Sequence, residues 1–246
     1  MINSQPIFDF HAIWISREIL LKGFGIAMFS AAAAIIFAII LGLTISLMRL
    51  SRINPLRYFA FCYTQLFRGV PLYVLIIWVY FGLSIAVNIN IPKIPAGILT
   101  LALLNSGYLS ETFRSGILAV SSGQKEAGEA LGLKRWEITR YIVLPQAFRI
   151  VVPPTGNQFV DAIKDSAILS IIGVPELMRV AQQQANVLYR PFEFYTVAGL
   201  LYLVAVLTVS FFLNKLERKL AGYSKPGGQS DPSSLTSALT GSEVVA

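Results

Sequence analysis

KEAGEALGLKRWEITRYIVLPQ, residues 125–146, is crowded with charge and ends on Leu144-Pro145, in a chain that is otherwise mostly oily. Ala127, Ala130 and Leu131 recur at i, i+3 and i+4, which gives a short helix a small apolar face. Glu126 and Glu129 suit the positive N-terminal end of such a helix. Gly132 is placed to end it in a left-handed conformation. Residues 134–143 form a second helix, and Pro145 lacks the donor needed to continue it. The segment therefore reads as a short water-facing helix, a glycine hinge, and a helix leading away. A plain solvated loop is the bland alternative.

The surroundings say which solvent the rest of the chain occupies. Of 246 residues, 55% are hydrophobic and 13% charged, about half the charged share of an ordinary soluble domain. Apolar runs of roughly 20 residues, enough to cross a bilayer, recur at about 23–48, 58–86, 95–118, 146–172 and 194–214. These five runs predict an all-α integral membrane protein with about five transmembrane helices. Pro71 lies inside the second run and Pro153-Pro154 interrupts the fourth. The transmembrane domain is expected over 23–220, with an extracytoplasmic segment at 1–22 and a disordered, Gly/Ser/Pro-rich cytoplasmic tail at 221–246. The run after Lys22 is too long for a signal-peptide core.

Lys and Arg decide orientation. Eleven of them fall after the first run, in the charged segment and at the C-terminal flank, against five on the opposite connections. The C-terminus and residues 123–145 are therefore expected in the cytoplasm and the N-terminus outside. The net charge of +7 flanks the apolar runs and is not interleaved with aromatics, so it implies no nucleic-acid partner. One histidine and one cysteine leave no ordinary His/Cys metal site and no internal disulfide. There is no Ser/His/Asp arrangement, no credible pair of hydrolytic carboxylates and no phosphate-binding GxxxxGK[ST] loop. Neither catalysis nor a bound cofactor is expected of this chain, and any ATP must be handled by another one.

Polar groups inside the runs are costly and become functional candidates. Asn157, Gln158, Asp161, Lys164 and Asp165 fall on one broad helical face of the fourth run. A zwitterion needs a cation for its carboxylate and acceptors for its ammonium. Lys164 suits the first task; Gln158 and Asp161 suit the second. The alternative is a self-neutralising Asp161–Lys164 or Lys164–Asp165 pair. In the third run Asn105 offers donors and acceptors to a ligand or to a neighbouring helix. Glu111 and Arg114 read as a structural pair or as partners of Arg68. Gly23, Gly25 and Gly42 read as close-packing positions.

GQKEAGEALGLKRWEITRYIVLPQ resembles the EAA loop of permease subunits of bacterial ATP-binding cassette importers. The matching positions are Glu126, Ala127, Gly132, Leu144 and Pro145. FRGVPLYVLIIWVYFGL at 67–83, LNSGYLSETFRSGI at 104–117, LPQAFRIVVPPTGNQF at 144–159 and KDSAILSIIGVPEL at 164–177 are similar to the branch that takes up polar amino acids. The resemblance spans most of residues 20–215 and implies a type I importer permease fold, of the MetI-like kind, with a cytoplasmic coupling helix. It further implies that Glu126, Ala127, Gly128, Ala130, Leu131 and Gly132 dock on a cytoplasmic ATPase. A second permease copy or paralogue and an extracytoplasmic solute-binding protein are implied partners, in a bacterial inner membrane. Positions matching Asn105, Gln158, Lys164 and Val70 belong to the family's substrate pocket. Two departures stand out. Gly128 replaces the usual second alanine, which implies a looser coupling helix. Val70 stands where threonine is common, which removes a hydroxyl. Relatives specific for arginine carry an acidic residue at Gln158, so Gln weakens the case for a cationic substrate. An ion-coupled secondary transporter and a non-transporting membrane scaffold are the rival readings.

Overall fold

The computed structural model describes residue 8 and residues 10–221, and among these there is no β-strand. Helix α1 (Phe10–Leu50) is 41 residues long and starts well before the apolar run expected at 23. Helix α2 (Asn54–Gly69) and helix α3 (Leu72–Ala86) follow, then α4 (Lys93–Leu118) and the short α5 (Ser122–Ala130). Helix α6 runs over residues 135–165 and tightens into a 3-10 turn, Ser166–Ile172. Helices α7 (Leu177–Leu188) and α8 (Pro191–Ala221) complete the chain. Beyond Ala221 the expected tail lies outside the described residues.

Two helices among the described residues, Phe10–Leu50 and Pro191–Lys219, are individually long and apolar enough to cross a membrane. The expected second span is a bent pair: α2 and α3 meet at 106°. The bend follows from Val70-Pro71. Proline's ring disfavours the helical region for the residue before it, and Val70 is extended at φ −87°, ψ 129°. Helices α4 and α6 are more polar than α1; half of α4 is buried, whereas over residues 144–165 α6 buries only Ala147, Gly156, Ala162 and Ile163.

Small residues set the helix spacing. Ala27, Ala31, Ala34 and Ala38 form a fully buried stripe on α1. At Gly42 an added Cβ would lie 2.9 Å from Leu109 Cβ and 3.2 Å from the Ser106 carbonyl oxygen, so α1 and α4 touch through backbone. Gly23 plays the same part against Val180 and Leu177 of α7. Gly25 does not, because nothing lies within 4 Å of its added Cβ. One apolar cluster joins Ala31, Ile35 and Ala38 of α1 to Leu109 and Phe113 of α4, Ala162 and Ile163 of α6, and Ala205 of α8. A second joins the first half of α1 to α7 and to Phe194 and Ala198 of α8.

The prolines of α6 do not break it. Residues Ile138–Val143 take a wider π turn just before Pro145, which gives room for the proline ring. Gln146 Nε2 donates to the Ile142 carbonyl at 2.9 Å, covering part of the disturbed ladder. Pro153 and Pro154 lie inside continuous helix, contrary to the expected interruption. Thr155 Oγ1 donates to the Val151 carbonyl beside them at 2.7 Å.

Candidate functional site

Helix α6 carries its polar stripe on the side away from the apolar cluster. Gly156, Ala162 and Ile163 are buried; at Gly156 an added Cβ would lie 2.7 Å from Leu213 Cδ2 of α8. Asn157 and Lys164 are exposed, and Gln158, Asp161 and Asp165 are partly exposed. Lys164 Nζ pairs with Asp161 Oδ1 at 2.7 Å, and about half of each side chain remains accessible, 56% and 50%. The pair offers one cationic and one anionic group side by side. Lys164 also lies in the last turn of α6, where the helix dipole favours a cation.

Gln158 is tied to α4. Its Nε2 donates to Asn105 Oδ1 at 2.7 Å, and Asn105 Nδ2 donates to the Leu101 carbonyl at 2.6 Å. Asn105 is fully buried. The helix-bridging alternative thus describes Asn105 in this conformation, and it reaches the stripe through Gln158. Val70 packs on the cluster of Leu75, Val79 and Leu104, next to Asn105 in sequence. Asn105 and Gln158 therefore meet directly on α4, while Val70 is linked to that helix only through the Leu75, Val79 and Leu104 cluster. Lys164 lies six residues beyond Gln158, roughly 9 Å along the axis.

The interface between α2 and α4 is hydroxyl-rich. Tyr63 Oη and Ser106 Oγ are 2.7 Å apart, and Thr64 Oγ1 and Ser110 Oγ are 3.1 Å apart, joining α2 to α4. Gly107 admits the stems of Phe67 and Arg68. The Arg68 guanidinium lies over the Tyr108 ring, 5.3 Å from its centroid, rather than pairing with Glu111. Glu111 accepts from Arg114 Nη2 at 2.5 Å and also pairs with Arg49. The expected Glu111–Arg114 pair is thus one half of a three-residue cluster joining α1 and α4.

The charged segment forms α5 and the start of α6. Gly132 is left-handed, φ +77°, and its N–H bonds to the Glu129 carbonyl at 2.9 Å. Ala127, Ala130 and Leu131 point outward, with Leu131 80% exposed. Gly128 points inward and is buried. An added Cβ there would lie 2.9 Å from Ile142 Cδ1 and 3.1 Å from Ile138 Cγ1. Gly128 therefore lets α5 lie close against the π turn of α6, a packing role that the looser-helix reading missed. A patch of Val120, Ile138, Val143 and Ala147 supports it from beneath.

Sequence reasoning also missed Glu176. It is fully buried and caps α7, accepting from Met178 N at 2.8 Å and Arg179 N at 2.7 Å. Tyr202 Oη of α8 donates to it at 2.7 Å. The signal was a glutamate just before Leu177, Val180, Ala181 and Ala185, a helical apolar spacing.

Comparison with known proteins places this arrangement. Residues 34–222 match the family described as binding-protein-dependent transport system inner membrane component. The glutamine transport system permease protein of Escherichia coli K12 is 33% identical over 214 residues, 87% of this chain and 98% of its own. The arginine transport system permease protein of Bacillus subtilis is 36% identical over 212 residues, 86% of this chain and 97% of its own. The crystal structure of an amino acid ABC transporter with histidines superposes with a TM-score of 0.82 at 36% identity, covering 86% of this chain and 98% of that one. The methionine ABC transporter MetNI in an inward-facing form, 19% identical with a TM-score of 0.70, shares the fold. The chain belongs to the binding-protein-dependent transport inner membrane component family: it is a transmembrane permease subunit of an ATP-driven amino-acid importer, which works with a separate ATPase subunit and a solute-binding partner.

Proposed function

We propose that this permease carries a polar amino acid and that Lys164 and Gln158 contact it. One observation supports this above the others. A lysine–carboxylate pair, Lys164 with Asp161, stands half accessible on a helix whose opposite side is buried in an apolar core. Charged groups within membrane helices face a cavity or a partner, not lipid. A ligand's carboxylate replaces Asp161 on Lys164, and its ammonium takes the released Asp161 or the Gln158 carbonyl oxygen. Asn105 holds Gln158 in place, and Val70 contributes apolar wall. The glutamine and arginine named for the relatives both have the required backbone groups, and Gln158, a neutral residue, favours an uncharged side chain.

Few helices are available to enclose a pathway, so a second permease, identical or paralogous, closes the other side. In this reading Glu126, Ala127, Gly128, Ala130, Leu131 and Gly132 form the docking helix for the ATPase. The outward face of Ala127, Ala130 and Leu131 supports it. The Lys/Arg distribution supports a cytoplasmic C-terminus and an outer N-terminus. Family membership disfavours both the ion-coupled transporter and the scaffold.

The test is uptake by proteoliposomes holding the full complex with its solute-binding protein. Lys164→Ala abolishes amino-acid uptake and ligand-stimulated ATP hydrolysis while the complex still assembles. Unchanged uptake by that variant would sink the pocket assignment.

A further inference from the structure

At the end of α1 nearest α5's side of the molecule lies a cleft of about 430 Å³ that the transport reading does not use. Arg49, Asn54, Arg57, Tyr58, Phe61 and Arg114 line it. Three helices contribute one guanidinium each: Arg49 from α1, Arg57 from α2 and Arg114 from α4. Among the described residues Glu111 is the carboxylate paired with Arg49 and Arg114, and no acidic residue lines the cleft beside the three arginines. Arg57 Nη2 donates to Asn54 Oδ1 at 2.9 Å, which ties these two lining side chains together.

Two of the guanidinium groups, those of Arg49 and Arg114, are held by Glu111 before any ligand arrives. The Arg49 side chain is only 14% accessible, fixed between Glu111 and the Phe61 ring, whose centroid is 5.5 Å from its Cζ. Guanidinium forks match the oxygens of a phosphate, and a pre-ordered fork loses less freedom on binding. Depth matters as well. Arg49 directly follows the apolar run of a membrane-crossing helix, so the cleft opens at headgroup level. Tyr58 is 71% exposed and Phe61 45% exposed beside it, an aromatic rim suited to the bilayer interface.

We propose that this cleft binds a phosphate oxyanion, supplied by the headgroup of an acidic phospholipid or by free phosphate, and thereby ties together the ends of α1, α2 and α4. The proposal is independent of the amino-acid pocket and of the direction in which the chain crosses the membrane.

Native mass spectrometry of the full-length permease with its ATPase, delipidated and titrated with phosphatidylglycerol, phosphatidylcholine or inorganic phosphate, tests it. The expected result is retention of phosphatidylglycerol over phosphatidylcholine. Arg57→Gln lowers the bound fraction about fivefold, the effect of one arginine near a membrane surface. Arg57→Lys, which keeps the charge and loses the fork, falls between Arg57→Gln and the unaltered protein, and Lys215→Gln, an exposed cation at the end of α8, leaves binding unchanged. Inorganic phosphate that binds alone, with the same Arg57 dependence, supports the site and identifies a soluble occupant. Equal retention of the two lipids with no phosphate binding overturns the proposal. So does equal loss from Arg57→Gln and Lys215→Gln. The lipid comparison on the unaltered protein stands even if a variant fails to assemble.

Discussion

Truncating Asn105 strips one partner from Gln158 and leaves a void where a fully buried amide had been. Such a loss costs about 1–3 kcal/mol when a buried polar group is left unpaired. Asn105→Ala is therefore expected to lower the melting temperature of the purified complex and to weaken transport by releasing Gln158. The pairing itself is measured by a double-mutant cycle with Gln158→Ala. A coupling of about 0.5–3 kcal/mol is expected from two residues in direct contact. Additive effects would show that the 2.7 Å bond contributes nothing and would remove Asn105 from the proposed pocket. The sequence showed that both residues were polar groups in apolar runs. It did not show that they meet, because 53 residues separate them and nothing local sets the rotation of α4 against α6. The Asp161–Lys164 pair was legible, since both partners lie on one helix at i, i+3.

At the scale of single helices, α5 divides its residues between two jobs. Leu131 is 80% exposed and carries no packing, so Leu131→Asp should change stability by no more than about 0.5 kcal/mol, as surface substitutions do. The same change places a charge on the proposed apolar docking face and should prevent co-purification with the ATPase. Gly128→Val acts from the other side. Its methyl groups collide with Ile138 and Ile142, so α5 tilts away from α6, and overpacking of this kind costs about 1–3 kcal/mol. ATP hydrolysis that continues without transport would mark this variant as uncoupled. If Leu131→Asp instead melts the protein while the ATPase stays bound, α5 is not a docking helix. Local signals carried the reading of α5: apolar spacing, first-turn acids and a terminal glycine. They failed on α6 for a physical reason. Proline removes a donor and crowds the preceding turn, but a π turn and side-chain bonds from Gln146 and Thr155 absorb both effects. They also failed on α7, whose 12 residues are too short to cross a bilayer and were passed over between two apolar runs.

For the whole molecule, long apolar helices and charged connections were legible because the bilayer imposes both. The 106° turn between α2 and α3 was visible only as a proline, since the angle depends on what α2 meets on α4. Orientation is a property of the entire chain and rests on the excess of Lys and Arg on one set of connections. It has a direct consequence for α5: as the proposed docking helix it has to lie on the side where ATP is hydrolysed. The native Cys62 is exposed, so the experiment starts from Cys62→Ala. Into that background Ser122→Cys is introduced, at the exposed first residue of α5. A membrane-impermeant maleimide should label this cysteine in inverted vesicles and spare it in intact cells. Bound ATPase subunits should slow the labelling, because they cover the same helix. Labelling in intact cells would place α5 outside, reverse the assignment of both termini and leave the ATPase nothing to hold.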